Sequence, residues 1–79
     1  MRATVLVRPK AGILDPQGEA VQSSLRHLGF DVDAARVGRV IDIEVDERDP
    51  QRARERVDQM CRQLLANPLI ESYEIELTT

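Results

Sequence analysis

The feature that most constrains this chain is an Asp-Pro pair that occurs twice, each time between a strand pattern and a helix pattern. Asp15-Pro16 follows the alternating residues 2–9, and Asp49-Pro50 follows the alternating residues 39–46. The aspartate can accept hydrogen bonds from the free N–H groups of a first helical turn, and proline at the first helical position has no N–H to leave unpaired. The sequence therefore predicts two units, each a strand followed by a capped helix.

Apolar residues fall on one side of each of these elements. Pro9 ends the first strand, Gly29 ends the first helix, and Asn67-Pro68 ends the second because proline disfavours helical geometry in the preceding residue. The apolar sets are Ala3, Val5 and Val7 in the first strand, Val21, Leu25 and Leu28 in the first helix, and Ala53, Val57, Met60, Cys61, Leu64 and Leu65 in the second helix.

Two further strand patterns complete the order β-α-β-β-α-β. Residues 30–36 form a less regular strand joined through a turn at Gly38 to residues 39–46, and the last strand covers residues 72–77. Short connections and right-handed crossovers leave one economical arrangement for this order. The prediction is a single α+β domain over residues 1–79, a βαββαβ two-layer sandwich whose four-stranded antiparallel sheet carries both helices on one face.

Charge and cysteine content exclude several classes of function. The formal net charge is −3, which offers no attraction to nucleic acid or to an anionic membrane. One cysteine cannot close an intrachain disulfide, and the N-terminal apolar run is too short for a signal peptide, so the cytoplasm is the expected compartment. A chain this small buries only about 60–65% of its unfolded surface, which favours association with other chains.

The polar residues show no catalytic arrangement. His27, the only histidine, lies in the last turn of the first helix, where its charge would interact favourably with the helix C-terminus. Cys61 lies in the apolar stripe, where a buried, inert thiol is expected. The acids Asp42, Glu44 and Asp46 share a strand face with arginines of the first strand, which favours a polar surface over a cation site.

Residues 10–18 form a connection longer than the topology requires. It contains apolar Ile13 and Leu14 beside a lysine, two glycines and Gln17. Gly18, in the first helical turn, costs about 1 kcal/mol relative to alanine, so a close backbone approach or a contact is expected there. The apolar pair either packs onto the core or contacts another chain, and residues 67–71 are a weaker signal of the same kind.

Five blocks of the sequence resemble the PurS family. They are Arg8-Pro9-Lys10, the run Gly-Ile-Leu-Asp-Pro-Gln-Gly at residues 12–18, Leu28-Gly29-Phe30, the run Arg-Val-Gly-Arg at residues 36–39, and the run Met-Cys-Arg-Gln-Leu-Leu-Ala-Asn-Pro-Leu-Ile-Glu at residues 60–71. The resemblance covers essentially the whole chain in order. PurS proteins are small subunits of phosphoribosylformylglycinamidine synthase, a ligase of purine biosynthesis.

The resemblance implies a subunit without catalytic or metal-binding residues inside an enzyme complex. That complex converts formylglycinamide ribonucleotide (FGAR), ATP and glutamine to formylglycinamidine ribonucleotide (FGAM). The implied partners are a glutaminase subunit, PurQ, and an ATP-dependent synthetase subunit, PurL, which the small subunit bridges while helping ammonia pass between them. The resemblance also implies a homodimer or tetramer, no cofactor in this subunit, and ATP and magnesium used by PurL.

Ten residues are the candidate partner contacts. They are Lys10, Gly12, Leu14, Asp15, Gln17 and Gly18 in the first loop, Arg36 and Arg39 near Gly38, and Asn67 and Pro68 after the second helix. Asp15 also fits a helix cap and Pro68 a helix stop, whereas the two arginines are the least explained by folding. The open sheet face or an edge strand is the expected surface for self-association, because an uncovered edge invites pairing.

Two rival functions share the predicted order of elements. A regulatory module of the ACT type would bind an amino acid between protomers near the first loop. An acylphosphatase-like enzyme would need an arginine cradle and a catalytic asparagine, which the sequence does not place.

Overall fold

The computed structural model describes residues 1–78 and shows a three-stranded antiparallel sheet with one helix lying on it. The strands are β1 (Arg2–Pro9), β2 (Arg39–Glu44) and β3 (Glu71–Thr78), and the helices are α1 (Pro16–His27) and α2 (Pro50–Met60), which continues into a π-helical turn (Cys61–Leu65). β1 lies in the middle, and the sheet order is β2-β1-β3.

The core lies between one face of this sheet and α2. In the register, Val5 of β1 stands opposite Ile41 of β2 and Ile75 of β3, so the alternating apolar residues of all three strands share a face. Val5 and Val7 are completely or almost completely buried, together with Val57 of α2. The predicted inward faces of the strands are therefore confirmed.

Both helices begin as the Asp-Pro pairs predict. The Asp15 carboxylate accepts a hydrogen bond from the Gly18 N–H at 3.1 Å, and the Asp49 carboxylate accepts one from the Gln51 N–H at 3.1 Å. Gly29 follows α1 with φ of +97°, a left-handed conformation that favours glycine at a helix end.

The prediction of a four-stranded sheet is wrong. Within residues 1–78 the sheet has three strands, and residues 30–36, predicted as a strand, form none. Aspartate is disfavoured in strands, and this segment carries two. Its carbonyl groups instead accept hydrogen bonds from α1 side chains: Arg26 Nε donates to the Val32 oxygen at 2.9 Å, and Gln22 Nε2 donates to the Asp33 oxygen at 3.2 Å. The segment is thus bound to α1 and not to β2.

The hairpin predicted at Gly38 is absent because residues 30–36 form no strand that could pair with β2. Gly38 has another role. A Cβ at this position would overlap with the Val7 carbonyl oxygen of β1. Glycine is needed here because the chain passes very close to the backbone of β1 as it enters β2.

The placement of both helices on one sheet face is also wrong, because only α2 lies there. α2 packs against β1 and β3, whereas α1 makes no extensive contact with the strands or α2 in the described chain. The radius of gyration is 15.7 Å, against about 12 Å for a compact chain of this length. Residues 15–37, which contain α1 and the segment bound to it, project from the sheet and are called the arm below.

Candidate functional site

Three connections meet at one end of the sheet, and they contain all ten predicted contact residues. We call residues 10–18, 36–39 and 67–71 the three-loop surface. The Lys10 N–H donates to the Ile70 oxygen at 2.9 Å, which joins the first connection to the last. Arg36 Nη2 donates to the carbonyl oxygens of Pro9 at 2.7 Å and Lys10 at 2.6 Å, which joins the second connection to the first.

Asp15 ties the base of the arm together. Besides capping α1, its carboxylate accepts a hydrogen bond from the Val37 N–H at 2.9 Å. The Val37 bond first, and then the Gly18 bond, lower the pKa of Asp15, with a smaller effect of the Arg36 charge. Gly18 is buried, and a Cβ there would overlap with Asp15 Oδ2 and the Ala35 oxygen, so the predicted close backbone approach is confirmed.

Arg39 and Glu71 form a two-pronged ion pair on the same surface. Arg39 Nη1 lies 2.6 Å from Glu71 Oε2, and Nη2 lies 3.1 Å from Oε1 and also donates to the Leu65 oxygen. Hydrogen bonds from Arg39 and then from the Asn67 N–H lower the pKa of Glu71. The hydrogen bond to Glu71 raises the pKa of Arg39, so both groups stay charged at neutral pH.

Apolar side chains stand out from this framework. Leu14 is 79% exposed and Leu69 is 84% exposed. The two connections that carry these leucines lie side by side. Leu14 and Ile70, the residue after Leu69, line one shallow groove of about 250 Å³ together with Arg39. Rigid loops with protruding leucines suit a contact with another protein, since apolar groups gain most when water is removed from them.

The structure separates the ten predicted residues into two groups. Lys10, Gly12, Leu14, Gln17, Asn67 and Pro68 are exposed and available to a partner. Gly18 is buried, and Asp15, Arg36 and Arg39 make the intrachain bonds described above. The arginines, which the sequence left without a folding role, both hold loops in place.

The sequence analysis singled out residues 67–71 as a weaker signal but did not place Leu69, Ile70 or Glu71 among the ten contact candidates. The signal there was two apolar residues directly after a helix-stopping proline, which have no place in a core stripe. The pairing of Glu71 with Arg39 joins residues 32 positions apart, and no local pattern could reveal it.

Other polar groups of the described chain form ordinary surface or core contacts. Thr4 donates to Asp42 at 2.8 Å, and Arg2 lies 3.5 Å from Glu44, so the acids of the open sheet face have neighbours. Cys61 is buried, as predicted, and burial raises the pKa of its thiol. Among residues 1–78, no group of three or more His, Cys, Asp or Glu residues could hold a metal ion.

No helix in the part of the chain that the structure describes is long and apolar enough to cross a membrane.

Comparison with known proteins finds relatives along the whole chain. A family model described as "PurS: Phosphoribosylformylglycinamidine (FGAM) synthase" matches residues 2–79. The PurS subunit of Synechocystis sp. is 45% identical over 78 residues, which cover 98% of this chain and 76% of that protein. The PurS subunit of Methanocaldococcus jannaschii is 39% identical over 77 residues, which cover 96% and 93%.

Solved structures of PurS proteins are also similar to this chain. The crystal structure of Methanocaldococcus jannaschii PurS matches with a TM-score of 0.83 and 41% identity, and the match covers 95% of this chain and 92% of that one. A chain in the structure of PurLQS from Thermotoga maritima matches with a TM-score of 0.85 and 33% identity, covering 95% and 93%.

Proposed function

The chain belongs to the PurS family, the small subunits of phosphoribosylformylglycinamidine synthase, and we propose that it joins the glutaminase and synthetase subunits of that enzyme through its three-loop surface. The family match sets aside the ACT-type and acylphosphatase-like alternatives. The observation that carries the proposal is a surface of loops joined by hydrogen bonds, from which Leu14 and Leu69 protrude.

The subunits of a related assembly support the proposed partners. A structural neighbour is described as PurLQS, an assembly named for three subunits, of which the PurS chain resembles this one. We propose the same partners here: a PurL-type synthetase that uses ATP and magnesium, and a PurQ-type glutaminase. No cofactor is proposed for this chain itself, and the cytoplasm is the proposed compartment.

The proposed role is to assist ammonia transfer without taking part in the chemistry. At neutral pH free ammonia is largely protonated to ammonium, which is not a nucleophile. A closed path between glutaminase and synthetase keeps the amine out of bulk water and so preserves its reactive form. A small rigid subunit can serve this end by ordering the surfaces of its partners, and the ties among residues 10, 15, 36, 39 and 71 supply that rigidity.

The test is synthetase activity of purified PurL and PurQ subunits from the same organism, with and without this chain. The reaction is driven by glutamine in one arm and by ammonium chloride in the other. We expect this chain to be required for glutamine-driven turnover, and we expect ammonium-driven turnover to change by less than about twofold, since the synthetase then needs no ammonia from its partner.

A double substitution tests the surface. Leu14→Asp with Leu69→Asp places charges where apolar contact is proposed, and glutamine-driven turnover should fall by at least about tenfold at limiting concentrations of this subunit. Leu64→Asp is the control, because Leu64 is 83% exposed, against 79% for Leu14 and 84% for Leu69, and lies outside the three-loop surface. Equal activity of the double variant and the control would contradict the proposed surface.

A further inference from the structure

A positively charged groove lies where the open face of the sheet meets the three-loop surface. Its volume is about 870 Å³, within the range of about 300–1,000 Å³ that is usual for small-molecule sites. Four cationic side chains line it: Arg8, Lys10, Arg36 and Arg39. No aspartate or glutamate of residues 1–78 belongs to its lining. In a chain whose net charge is −3, this groove, called the basic groove below, concentrates charge of the opposite sign.

Two of the four cations have carboxylate partners beside the basic groove. Arg39 Nη1 lies 2.6 Å from Glu71 Oε2, in the two-pronged pair described above, so its charge is neutralised. Arg8 Nη1 lies 3.3 Å from Glu74 Oε1, and the two side chains are 59% and 64% exposed. An ion pair this exposed contributes little to stability, so Arg8 can leave Glu74 for a ligand at small cost.

The other two cations, Lys10 and Arg36, make no ion pair among residues 1–78. Arg36 uses only Nη2, which donates to the Pro9 and Lys10 oxygens, so its Nη1 and Nε have no hydrogen-bond partner within the described chain. These bonds fix the guanidinium without cancelling its charge. The Arg36 charge is the smallest of the influences on the pKa of Asp15, so that carboxylate offsets little of it. The basic groove therefore has two uncompensated positive charges.

An apolar wall faces these charges. Leu6 of β1 stands opposite Val40 of β2 in the register, and both line the basic groove. They belong to the open face of the sheet, since Val5 and Val7 on either side of Leu6 are buried against the core. Val40 is 61% exposed. A ligand with an anionic end and an uncharged body would find a matching surface for each part.

We propose that the basic groove binds a small phosphate monoester of about nucleotide size, with its phosphate at Lys10 and Arg36 and its uncharged body against Leu6 and Val40. A phosphate monoester carries a charge of about −1.5 to −2 at neutral pH, which matches the two uncompensated cations, whereas a carboxylate carries only one negative charge. Its three terminal oxygens accept hydrogen bonds from the Lys10 ammonium and from the N–H groups that Arg36 has left.

A second groove shows that this charge is local. It has a volume of about 670 Å³ and lies between α2 and β3. Four acids and one arginine belong to its lining: Glu55, Asp58, Glu74, Glu76 and Arg54. A phosphate would be repelled there, so the proposal assigns the anion to one end of the sheet only.

The first test is calorimetric titration of the purified full chain with adenosine monophosphate (AMP) as the probe. We expect a dissociation constant below about 1 mM at low ionic strength, weakened by added salt, and no binding of adenosine, which lacks the phosphate. Lys10→Met should weaken AMP binding by at least about tenfold, the loss expected for one hydrogen bond between charged groups. Arg48→Met is the control, because Arg48 is exposed, lies outside the basic groove and forms no ion pair among residues 1–78. It should bind AMP as wild type does.

The second test compares two arginines of the same strand. Arg8 and Arg2 both lie on the open face of β1, both pair with a glutamate, and their side chains are 59% and 61% exposed, but only Arg8 lines the basic groove. Arg8→Met should weaken AMP binding by about threefold, and Arg2→Met should leave it unchanged.

Four results would overturn the proposal: no binding of AMP to wild type, equal binding by wild type and Lys10→Met, equal binding of adenosine and AMP, or displacement of AMP by a short polyglutamate peptide that binds more tightly. The last would assign the basic groove to an acidic protein segment. The inference goes beyond the proposed bridging of other subunits and concerns this chain alone, so none of these results would alter the test with glutamine and ammonium chloride.

Discussion

The charged residues of the three-loop surface act mainly on the chain itself. Arg36 and Arg39 bind backbone oxygens of other connections, and Glu71 receives hydrogen bonds from Arg39 and from the Asn67 N–H. Such two-pronged pairs contribute more than single surface ion pairs, because the planar guanidinium matches the carboxylate. These bonds hold together the connections that carry the exposed Leu14 and Leu69.

The Glu71 pair makes a pH-dependent contribution to stability. The pKa of Glu71 lies below its usual 4.5 in the folded chain and is ordinary once unfolding breaks the bond to Arg39. The carboxylate therefore stabilises the fold fully above about pH 5, and this contribution is lost as the pH falls through the lower, folded-state pKa. Urea unfolding from pH 7 to pH 3 should show Glu71→Gln less stable than wild type at pH 7, with the difference shrinking on acidification.

Glu55→Gln is the control for this measurement, because Glu55 is exposed and forms no ion pair among residues 1–78. Its unfolding should follow the wild-type pH dependence. A constant difference between wild type and Glu71→Gln at every pH would show that the ion pair does not stabilise the fold.

At the scale of the elements, the two Asp-Pro caps look alike in sequence and differ in the structure. Asp49 satisfies one N–H, that of Gln51, and it is exposed. Asp15 satisfies two, those of Gly18 and Val37, and the second belongs to the far end of the arm. The same dipeptide thus caps a helix in one case and also closes the base of an arm in the other.

We expect Asp15→Ala to destabilise the chain more than Asp49→Ala does. The loss of an ordinary N-cap costs about 0.5–2 kcal/mol, and that is the expected cost for Asp49→Ala. Asp15→Ala also leaves the Val37 N–H without its acceptor, which adds the penalty of an unpaired backbone group. Urea midpoints of the two variants at one pH provide the comparison, and equal midpoints would show that the bond to Val37 does not stabilise the arm.

At the scale of the whole molecule, the chain is elongated, with principal extents of 48 × 25 × 14 Å. An extended shape leaves apolar surface open to water, and association removes it. The homodimer that the family resemblance implies would cover such surface, so unfolding and dissociation should be coupled.

Coupling predicts that the thermal midpoint rises with protein concentration, by a few degrees for each tenfold increase, because mass action favours the folded dimer. Calorimetry or circular dichroism over a 100-fold range of concentration would measure it. Leu28→Asp places a charge in the apolar stripe of α1, where Leu28 is 72% exposed, and should show a weaker dependence on concentration. A constant midpoint for wild type would argue against coupled dimerisation.

The chain's local features were readable from its sequence. The Asp-Pro caps, the glycine after α1, the inward faces of the strands and the buried Cys61 depend on neighbouring residues and on periodicity, and all are confirmed. The loops around Leu14 and Leu69 could be flagged because they contain apolar residues that no stripe absorbs. The enzyme complex, its reaction and the partner subunits were predicted from the family resemblance and not from these local features.

Only the tertiary structure decided how many strands the sheet has and where α1 lies. Residues 30–36 carry enough alternation for a strand, but Arg26 and Gln22 take up their carbonyl oxygens. The apolar stripe of α1 predicts burial without specifying against which chain, since hydrophobic attraction has no direction. The hydrogen bonds of Asp15 and Arg36 fix the base of the arm, and they join residues that lie between 22 and 27 positions apart in the sequence.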